Sequence, residues 1–329
     1  AACLCPPDAV SLRFGEPSFA GHLEGARARG IEPVVLALPG AGLDVDGPED
    51  LEALRLEGSS TRAGQIVKQG AGDRPSHAQA VPRLEVVGLQ GLPEVRPGDD
   101  LARLLVGAAA AQGMPLQTGD LLVVAQKVVS KAEGRLVRLE DVMPSAFATA
   151  VGRNVKKDPR LVEVILRESR RVVRMDRGIL ITETHHGQIC ANAGVDQSNV
   201  KPGWVSLLPE DPDASARLLV EGVRAAGGAD IPVIIADTFG RPWREGLQNV
   251  AIGVAGLRPL RSYLGVPDPH GYTLQATVLA VADELASAAE LVMGKLDRVP
   301  AALIRGCAYL PGPGSGRELL RDPTQDLFR

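Results

Sequence analysis

Short apolar runs and longer amphipathic stretches alternate along the chain. Runs rich in Val, Ile and Leu and bounded by turn residues are typical of buried strands, and they predict strands over residues 84–88, 119–129, 178–183 and 232–237. Apolar residues at helical spacing predict helices over residues 17–29, 99–110, 158–169, 214–226 and 273–293. Because strands and helices mix without a regular βαβ alternation, the pattern favours the α+β class.

The longest predicted helix, over residues 273–293, has clear candidate ends. Thr273 is a suitable N-cap, Gly294 is a suitable C-cap, and Lys295 complements the helix dipole. Its apolar positions recur at helical spacing: Leu274, Val278, Val281, Leu285 and Val292. We expect this stripe to pack in the core.

Polar and apolar content divides the chain into three parts. Residues 1–57 hold few large apolar side chains for an independent core, residues 58–83 are small and polar like a flexible linker, and residues 84–329 form the main body.

Composition limits the function. The chain has 329 residues, of which 45% are hydrophobic and 23% charged, and its net charge of −4 argues against binding to nucleic acid. Its four cysteines are too scattered for a disulfide framework. Nothing resembles a signal peptide or a membrane span, so we expect a reduced, cytoplasmic enzyme or binding protein.

Two turn-rich segments present an aspartate among glycines, hydroxyls and amides. Asp196 lies in CANAGVDQSN (190–199), and Asp237 lies in ADTFGRPWR (236–244), directly after a buried strand. Such a pair could hold a divalent cation through hard oxygen ligands, as nucleotide phosphates require. The alternative is two Asx-turns that only satisfy backbone amides.

Three further stretches have weaker functional interpretations. Ser130, Lys131, Glu133 and Arg135 follow a strand and suit a phosphate site or a solvated turn. Cys190 is a buried structural cysteine or, with His185 or His186, a thiol–imidazole pair. The basic residues Arg167, Arg170, Arg171, Arg174 and Arg177 would lie on several faces of a helix and could recognise an anion. The Gly312–Gly316 stretch resembles a phosphate loop, but we expect a terminal loop.

Several segments in order resemble one known family. They are VSKAEGR, KDPRLVEVILRES, CANAGVDQSNV, LLPEDPDASA, DTFGRPWREG, VAIGVAGL and ADELASAAELVMGK. From about Leu84 to Arg329 the chain resembles the coenzyme F(420)-0:L-glutamate ligases. Near the N-terminus, PPDAVSLRFGEPSFAGHL and LDVDGPEDLEAL resemble the C-terminal portion of 2-phospho-L-lactate guanylyltransferase, although Gly47 stands where that family usually has threonine.

The ligase resemblance implies a GTP-driven amide synthesis. A substrate carboxylate would accept the γ-phosphate as an acyl phosphate, and the amine of L-glutamate would then displace phosphate. The first glutamate would join the lactyl carboxylate of F(420)-0, and later ones would add through γ-linkages. The implied cofactors are GTP and Mg²⁺ or Mn²⁺, with K⁺ as a further candidate ion.

The resemblance also implies roles for individual residues. Asp196 and Asp237 would be catalytic metal ligands, with Thr238 as a further ligand. GTP would contact Leu92, Pro93, Glu94, Val95, Ser130, Lys131, Arg135, Asn199, Val292, Met293, Gly294 and Lys295. In the guanylyltransferase-like part, Gly15 and Ser18 would contact a substrate phosphate, while Asp44 and Asp46 would bind metal.

The implied fold is a two-lobed α+β ligase fold, as a homodimer, preceded by a partial α/β nucleotidyltransferase fragment. The upstream half of that fragment is not in the sequence, so we expect it to be inactive as it stands in a fusion of two enzymes. Two rivals stay open. A metal-dependent phosphohydrolase would turn over GTP without an acceptor, and a deazaflavin-binding protein would retain its ligand without the aspartates.

Overall fold

A computed structural model describes residues 18–33, 83–227 and 229–326. The chain forms two compact units, residues 1–81 and 82–329. In the first unit, helix α1 (Ser18–Arg27) confirms the predicted helix over residues 17–29. Gly15, Asp44, Asp46 and residues 58–82 of the predicted linker lie outside the described residues, so the roles and boundaries assigned there stay predictions.

The second unit is a mixed α/β structure. Its helices are α2 (Leu101–Ala111), α3 (Gln126–Ala132), α4 (Ala146–Val155), α5 (Pro159–Arg167), α6 (Pro212–Gly227) and α7 (Val281–Met293). Its strands are β1 (Glu85–Gly88), β2 (Leu121–Ala125), β3 (Leu136–Arg138), β4 (Ser169–Asp176), β5 (Ile179–Thr184), β6 (Ile189–Ala191), β7 (Trp204–Ser206), β8 (Val233–Arg241), β9 (Arg244–Ala255), β10 (Arg261–Ser262), β11 (Val278–Leu279) and β12 (Ala301–Arg305). The mixed class is confirmed, and the two-lobed arrangement stays a prediction.

The main sheet has the strand order β1-β12-β2-β8-β9. Strands β2 and β8 are parallel neighbours, and the other pairs are antiparallel. All of Leu121–Val124 and Val233–Ala236 are buried because the sheet is covered on both faces. One face packs against α2 and α6, and the other packs against α7.

A smaller sheet, β4-β5-β6, leads into the candidate site. Helices α4 and α5 share a third apolar cluster with β5 and with the turn that follows β6. The N-caps Ser145 and Asp158 accept hydrogen bonds from the first turns of these helices, so each begins at a defined residue.

The predicted strand over residues 119–129 is wrong in its second half. Pairing of β2 with β8 stops at Ala125, opposite Ala236, and helix α3 begins at Gln126. An apolar run does not distinguish a strand from a short buried helix, and here it contains both.

The predicted helix over residues 273–293 begins eight residues late. Residues 273–279 are not helical: Thr273 bridges to Pro267, a bend follows, and Val278 pairs with Ser262. The N-cap position is Ala280, not Thr273. The predicted C-cap is confirmed at Gly294, whose amide bonds to the carbonyl of Glu290.

Most of the basic run lies on a strand and not on a helix: Arg167 ends α5, Arg170, Arg171 and Arg174 lie on β4, and Arg177 lies in the turn after β4. Arg170 and Arg171 contact the two carboxylate oxygens of Glu183 on the adjacent strand at 3.4 and 2.7 Å. Arg174 donates to Asp176 at 2.9 Å. Carboxylates within the same sheet therefore partner these guanidinium groups, and recognition of an anion by the run stays untested.

The glycine-rich C-terminal stretch is fixed against the main sheet. Asp213, buried in the first turn of α6, accepts hydrogen bonds from the Gly316 amide at 2.7 Å and the Ser315 hydroxyl at 2.5 Å. A Cβ at Gly314 or Gly316 would collide with backbone carbonyls of Leu257 or Ile252. The glycines permit this close approach, as expected of a structural loop.

Within the part of the chain that the structure describes, no helix is long and apolar enough to cross a membrane.

Candidate active site

The parallel pair β2–β8 determines where the site lies. Both strands leave the core in the same direction, so Gln126–Lys127 after β2 and Asp237 on β8 are brought to one edge. Ligands of open sheets commonly bind beyond the carboxyl ends of parallel strands. Asp237 is the first residue of β8 that is not fully buried, and it pairs with Val250 of β9.

Asp196 reaches this edge from the turn after β6. Its backbone is held by paired hydrogen bonds with Ser206, which is next to Leu207 in the core. Its carboxylate accepts hydrogen bonds from Lys127 Nζ at 2.5 Å and from the Ser198 amide and hydroxyl, both at 2.8 Å. Burial raises the pKa of Asp196, but the Lys127 ammonium and the Ser198 donors outweigh it and hold the pKa below its ordinary value.

Asp237 has the opposite electrostatic environment. Burial, with a smaller contribution from the negative charge of Asp196, raises its pKa to about 6, although its own Thr238 amide, Lys127 and Lys295 oppose the increase. Asp196 and Asp237 are therefore close enough to repel one another. The two lysines lie within electrostatic range of the same carboxyl, so four charged groups form one cluster.

Lys295 enters the cluster from the end of α7. Its ammonium donates to the Thr238 hydroxyl at 2.5 Å and forms an ion pair with Glu290 at 2.7 Å. Thr238 in turn donates to Asn249 Oδ1 at 2.6 Å. The residue after Asp237 is thereby tied to both α7 and β9, which fixes the direction of the β8 end.

The donor set fits a divalent cation shared with a substrate. Among the described residues, no three His, Cys, Asp or Glu side chains converge as a complete metal site. Two mutually repelling carboxylates and a neighbouring hydroxyl are present, and Mg²⁺ is commonly held by one or two carboxylates together with substrate phosphates. Asp196 and Asp237, with Thr238 beside them, would hold such an ion, but no contact here tests their assignment as ligands.

The other predicted GTP-contacting residues are only partly brought together. Lys131 is buried and forms an ion pair with Glu94 at 2.5 Å, which joins the Leu92–Val95 segment to α3. Ser130 is fully buried and donates to Gln126, whereas Arg135 turns to Glu168 and the carbonyl of Leu208. The remaining predicted contacts are Asn199, exposed in the turn after Asp196, and Val292, Met293 and Gly294, at the end of α7. All of these roles stay predictions.

A surface cleft of about 400 Å³ opens beside the same segment. It is lined by Pro93, Glu94, Arg96, Asp100, Arg103 and neighbouring residues, and neither Asp196 nor Asp237 reaches it. Since the charged cluster carries the groups that suit phosphate and metal chemistry, we place the site at the cluster and not in this cleft.

Lys127 is the functional candidate that sequence reasoning missed. It contacts Asp196 and both the hydroxyl and the carbonyl of Ser198, at 2.6 and 2.9 Å. The strand predicted through Val129 hid the junction between β2 and α3, where this lysine lies. A lysine immediately after a buried apolar run would have indicated it, by the same reasoning that identified Asp237.

Cys190 is a buried structural cysteine and not a nucleophile. Burial and the nearby Asp237 carboxylate raise the pKa of its thiol to about 12. The predicted imidazole partners are directed elsewhere, His185 to the carbonyl of Arg167 and His186 to that of Glu210.

The first prediction concerns this thiol. At pH 8.5 roughly one Cys190 in several thousand is a thiolate, and the thiolate is the reactive form. We expect iodoacetamide to label Cys190 only after unfolding, and Cys190→Ala to retain activity within about threefold because the chemistry uses no thiol. Peptide mass spectrometry of labelled native and unfolded protein measures the first, and rapid labelling of native Cys190 would contradict it.

Comparison with known proteins identifies the family of the main body. Residues 91–306 match the family model for F420-0:Gamma-glutamyl ligase, about two thirds of the chain. The chain belongs to the F420-0:gamma-glutamyl ligase family. Residues 2–86 match the model for guanylyl transferases like CofC, so the N-terminal part is CofC-like, as the sequence resemblance indicated.

Curated relatives align with most of the main body. The chain is 45% identical over 249 residues to the coenzyme F420:L-glutamate ligase of Methanothermobacter thermautotrophicus. The aligned region covers 75% of this chain and 99% of that protein. The protein of the same name from Methanopyrus kandleri is 48% identical over 252 residues, and the aligned region covers 75% of this chain and 97% of that protein. That from Methanocaldococcus jannaschii is 39% identical over 248 residues, with the same coverage.

Proposed function

We propose that this chain is a GTP-dependent ligase that joins L-glutamate to coenzyme F(420)-0 through an acyl phosphate. The observation that carries the proposal is the cluster at the β2–β8 edge, where Asp196 and Asp237 lie within electrostatic range of Lys127 and Lys295. Carboxylates suit a divalent cation and ammonium groups suit phosphate oxygens, so the cluster has both components that phosphoryl transfer requires.

Each member of the cluster then has a role. Asp196 and Asp237 would hold the cation, which when bound neutralises charge on the transferring phosphate. Lys127 lies beside Asp196 and orients its carboxylate. Lys295 fixes Thr238 next to Asp237 and adds positive charge where nucleotide phosphates would lie.

The proposal extends to the partners and setting implied by the family resemblance. F(420)-0, L-glutamate and GTP would be the substrates, with Mg²⁺ or Mn²⁺ and K⁺ as ions, in a cytoplasmic homodimer. After the first glutamate joins the lactyl carboxylate, γ-linked additions would reuse the same cluster, because each product again ends in a carboxylate.

Mass spectrometry tests the proposed reaction. The protein is incubated with F(420)-0, L-glutamate, GTP and Mg²⁺ or Mn²⁺, and each omission serves as a control. We expect one or more glutamyl increments that depend on all four components, with GDP formed in parallel. Release of GDP without any increment would instead identify a phosphohydrolase, and absence of both products would overturn the proposed reaction.

The second prediction concerns Lys127. Lys127→Met keeps the length of the side chain but removes the ammonium that contacts Asp196 and Ser198. Loss of charge-assisted contacts of roughly 1.5–3 kcal/mol should weaken apparent GTP binding about 10- to 100-fold. Initial rates against GTP concentration measure this effect, and exposed Lys201→Met is the matched control. Equal kinetics of the two variants would exclude Lys127 from the nucleotide site.

A further inference from the structure

Two buried polar atoms beside the charged cluster have no partner. Over the described ranges, the buried side-chain atoms that lack a hydrogen bond are Thr182 Oγ1, His186 Nδ1, Asn192 Oδ1 and Arg241 Nε. Buried polar atoms are nearly always paired, because an unpaired one loses its hydration without compensation. His186 is anchored through its other ring nitrogen, whereas Thr182 and Asn192 lie on the segments that lead to Asp196.

Thr182 is on the same sheet face as the buried Cys190. It pairs directly with Cys190, and because cross-strand partners point to the same side, both buried side chains share one face. Strand β6 packs against β8, and Asp237 is near enough to raise the pKa of the Cys190 thiol. The unpaired hydroxyl of Thr182 therefore lies on the same side of the sheet as the Cys190 thiol, and β5 packs against the turn that holds Asn192.

Asn192 occupies a strained turn two residues beyond Cys190. Asn192 and Ala193 both have left-handed backbones, with φ of 54° and 55°. Alanine rarely adopts this conformation, and such strain of about 1–3 kcal/mol concentrates at ligand-binding sites. The turn continues to Asp196, so the unpaired oxygen of Asn192 lies on the same short segment as the carboxylate.

We propose that Asn192 Oδ1, with the Thr182 hydroxyl, receives the amino group of the glutamate that attacks the activated carboxylate. This assignment rests on the proposed function. An amide oxygen only accepts hydrogen bonds, and the same is true of nucleotide phosphate oxygens. A phosphate therefore cannot supply the donor that Asn192 Oδ1 lacks. An amine donates, and the neighbouring carboxylates favour a group that arrives as an ammonium.

The step balances with groups that the reaction supplies. The glutamate ammonium gives one proton to solvent water, and its nitrogen lone pair then forms the bond to the acyl carbon. The bond from that carbon to the phosphate oxygen breaks, and phosphate leaves with the electron pair. Phosphate accepts the second amine proton as the amide forms. Asn192 and Thr182 act as positioning residues that hold the nitrogen in line with the acyl carbon.

Three substitutions separate this role from a structural one. Asn192→Gly removes the side chain and tolerates the left-handed backbone, whereas Asn192→Asp tolerates it and retains an acceptor. Thr182→Val removes the hydroxyl at constant shape. Because the atoms removed by the glycine and valine variants are unpaired in the protein alone, we expect unchanged or higher melting temperatures for both.

The decisive measurement compares the kinetics of two nucleophiles, L-glutamate and hydroxylamine. We expect Asn192→Gly to raise the KM for glutamate about 10- to 100-fold, the effect of losing one hydrogen bond to a charged group. Thr182→Val should raise it less, and Asn192→Asp should restore it within about threefold. The KM for GTP should stay within twofold. Hydroxylamine, which captures acyl phosphates without a glutamate subsite, should yield hydroxamate from F(420)-0 at the wild-type rate.

Other outcomes would overturn the assignment in distinguishable ways. An unchanged glutamate KM in Asn192→Gly and Thr182→Val would exclude the subsite while leaving the ligase intact. Equal losses of glutamate and hydroxylamine reactions would place Asn192 in phosphoryl transfer or cation binding. Wild-type protein that forms neither glutamyl product nor hydroxamate would overturn the proposed function itself. If the glycine variant does not fold, the valine variant, with its own expected rise in the KM for glutamate, carries the test.

Discussion

Asp237→Asn is expected to lower the rate of glutamate ligation by about 10³-fold or more, a loss of roughly 4 kcal/mol of transition-state stabilisation. Asparagine has the same shape but lacks the anionic oxygen that a divalent cation requires. Asp196→Asn should reduce the rate to a similar extent. Single-turnover formation of the first glutamyl product, followed by mass spectrometry, measures both effects.

The melting temperatures of the two variants should differ, and they also show whether a loss of activity comes from misfolding. Asp237 is desolvated and repelled by Asp196, and its pKa is raised to about 6. The Asp237→Asn variant removes this unfavourable charge, so in the presence of EDTA it should melt at the same temperature as the wild type or at a higher one. Asp196 has the opposite shift because Lys127 and Ser198 satisfy its charge, so Asp196→Asn should melt lower. Asp230→Asn, in an exposed pair with Arg224, is the control for both readouts. More than a tenth of wild-type activity in Asp237→Asn would exclude Asp237 as an essential ligand.

Local sequence patterns predicted the parts of the site that depend on a single segment. The run that ends at Asp237 is a buried strand, as predicted, because the consecutive apolar residues are covered on both faces of the main sheet. Gly294 ends α7 as predicted, since its positive φ of 57° suits glycine. Both features depend on a few neighbouring residues, so the sequence contains the necessary information.

Features that depend on distant segments could not be predicted in this way. Nothing local to Lys127 or Asp196 shows that they are in contact, because their approach requires β2 and β8 to be parallel neighbours and β6 to pack on β8. The non-helical backbone of residues 273–279 escaped prediction for the same reason, since its pairing partners belong to a strand and a loop outside the helical pattern. The unpaired oxygen of Asn192 is visible only when all neighbouring atoms are placed.

Asp213→Ala is expected to destabilise the main body by about 3 kcal/mol, although Asp213 takes no part in the proposed chemistry. Its buried carboxylate accepts from the amides of Val254 and Gly316 at 2.9 and 2.7 Å and from the Ser315 hydroxyl at 2.5 Å. It thereby joins α6, β9 and the C-terminal loop. Alanine has no acceptor at this position, so the two buried amides are left unpaired at about 1–3 kcal/mol each. The melting temperature should fall by roughly 6–12 °C, as thermal denaturation followed by circular dichroism would measure. Ser315→Ala, which removes one donor and leaves both amides paired, should cause a smaller decrease; equal melting temperatures for wild type and Asp213→Ala would show that this junction contributes little to stability.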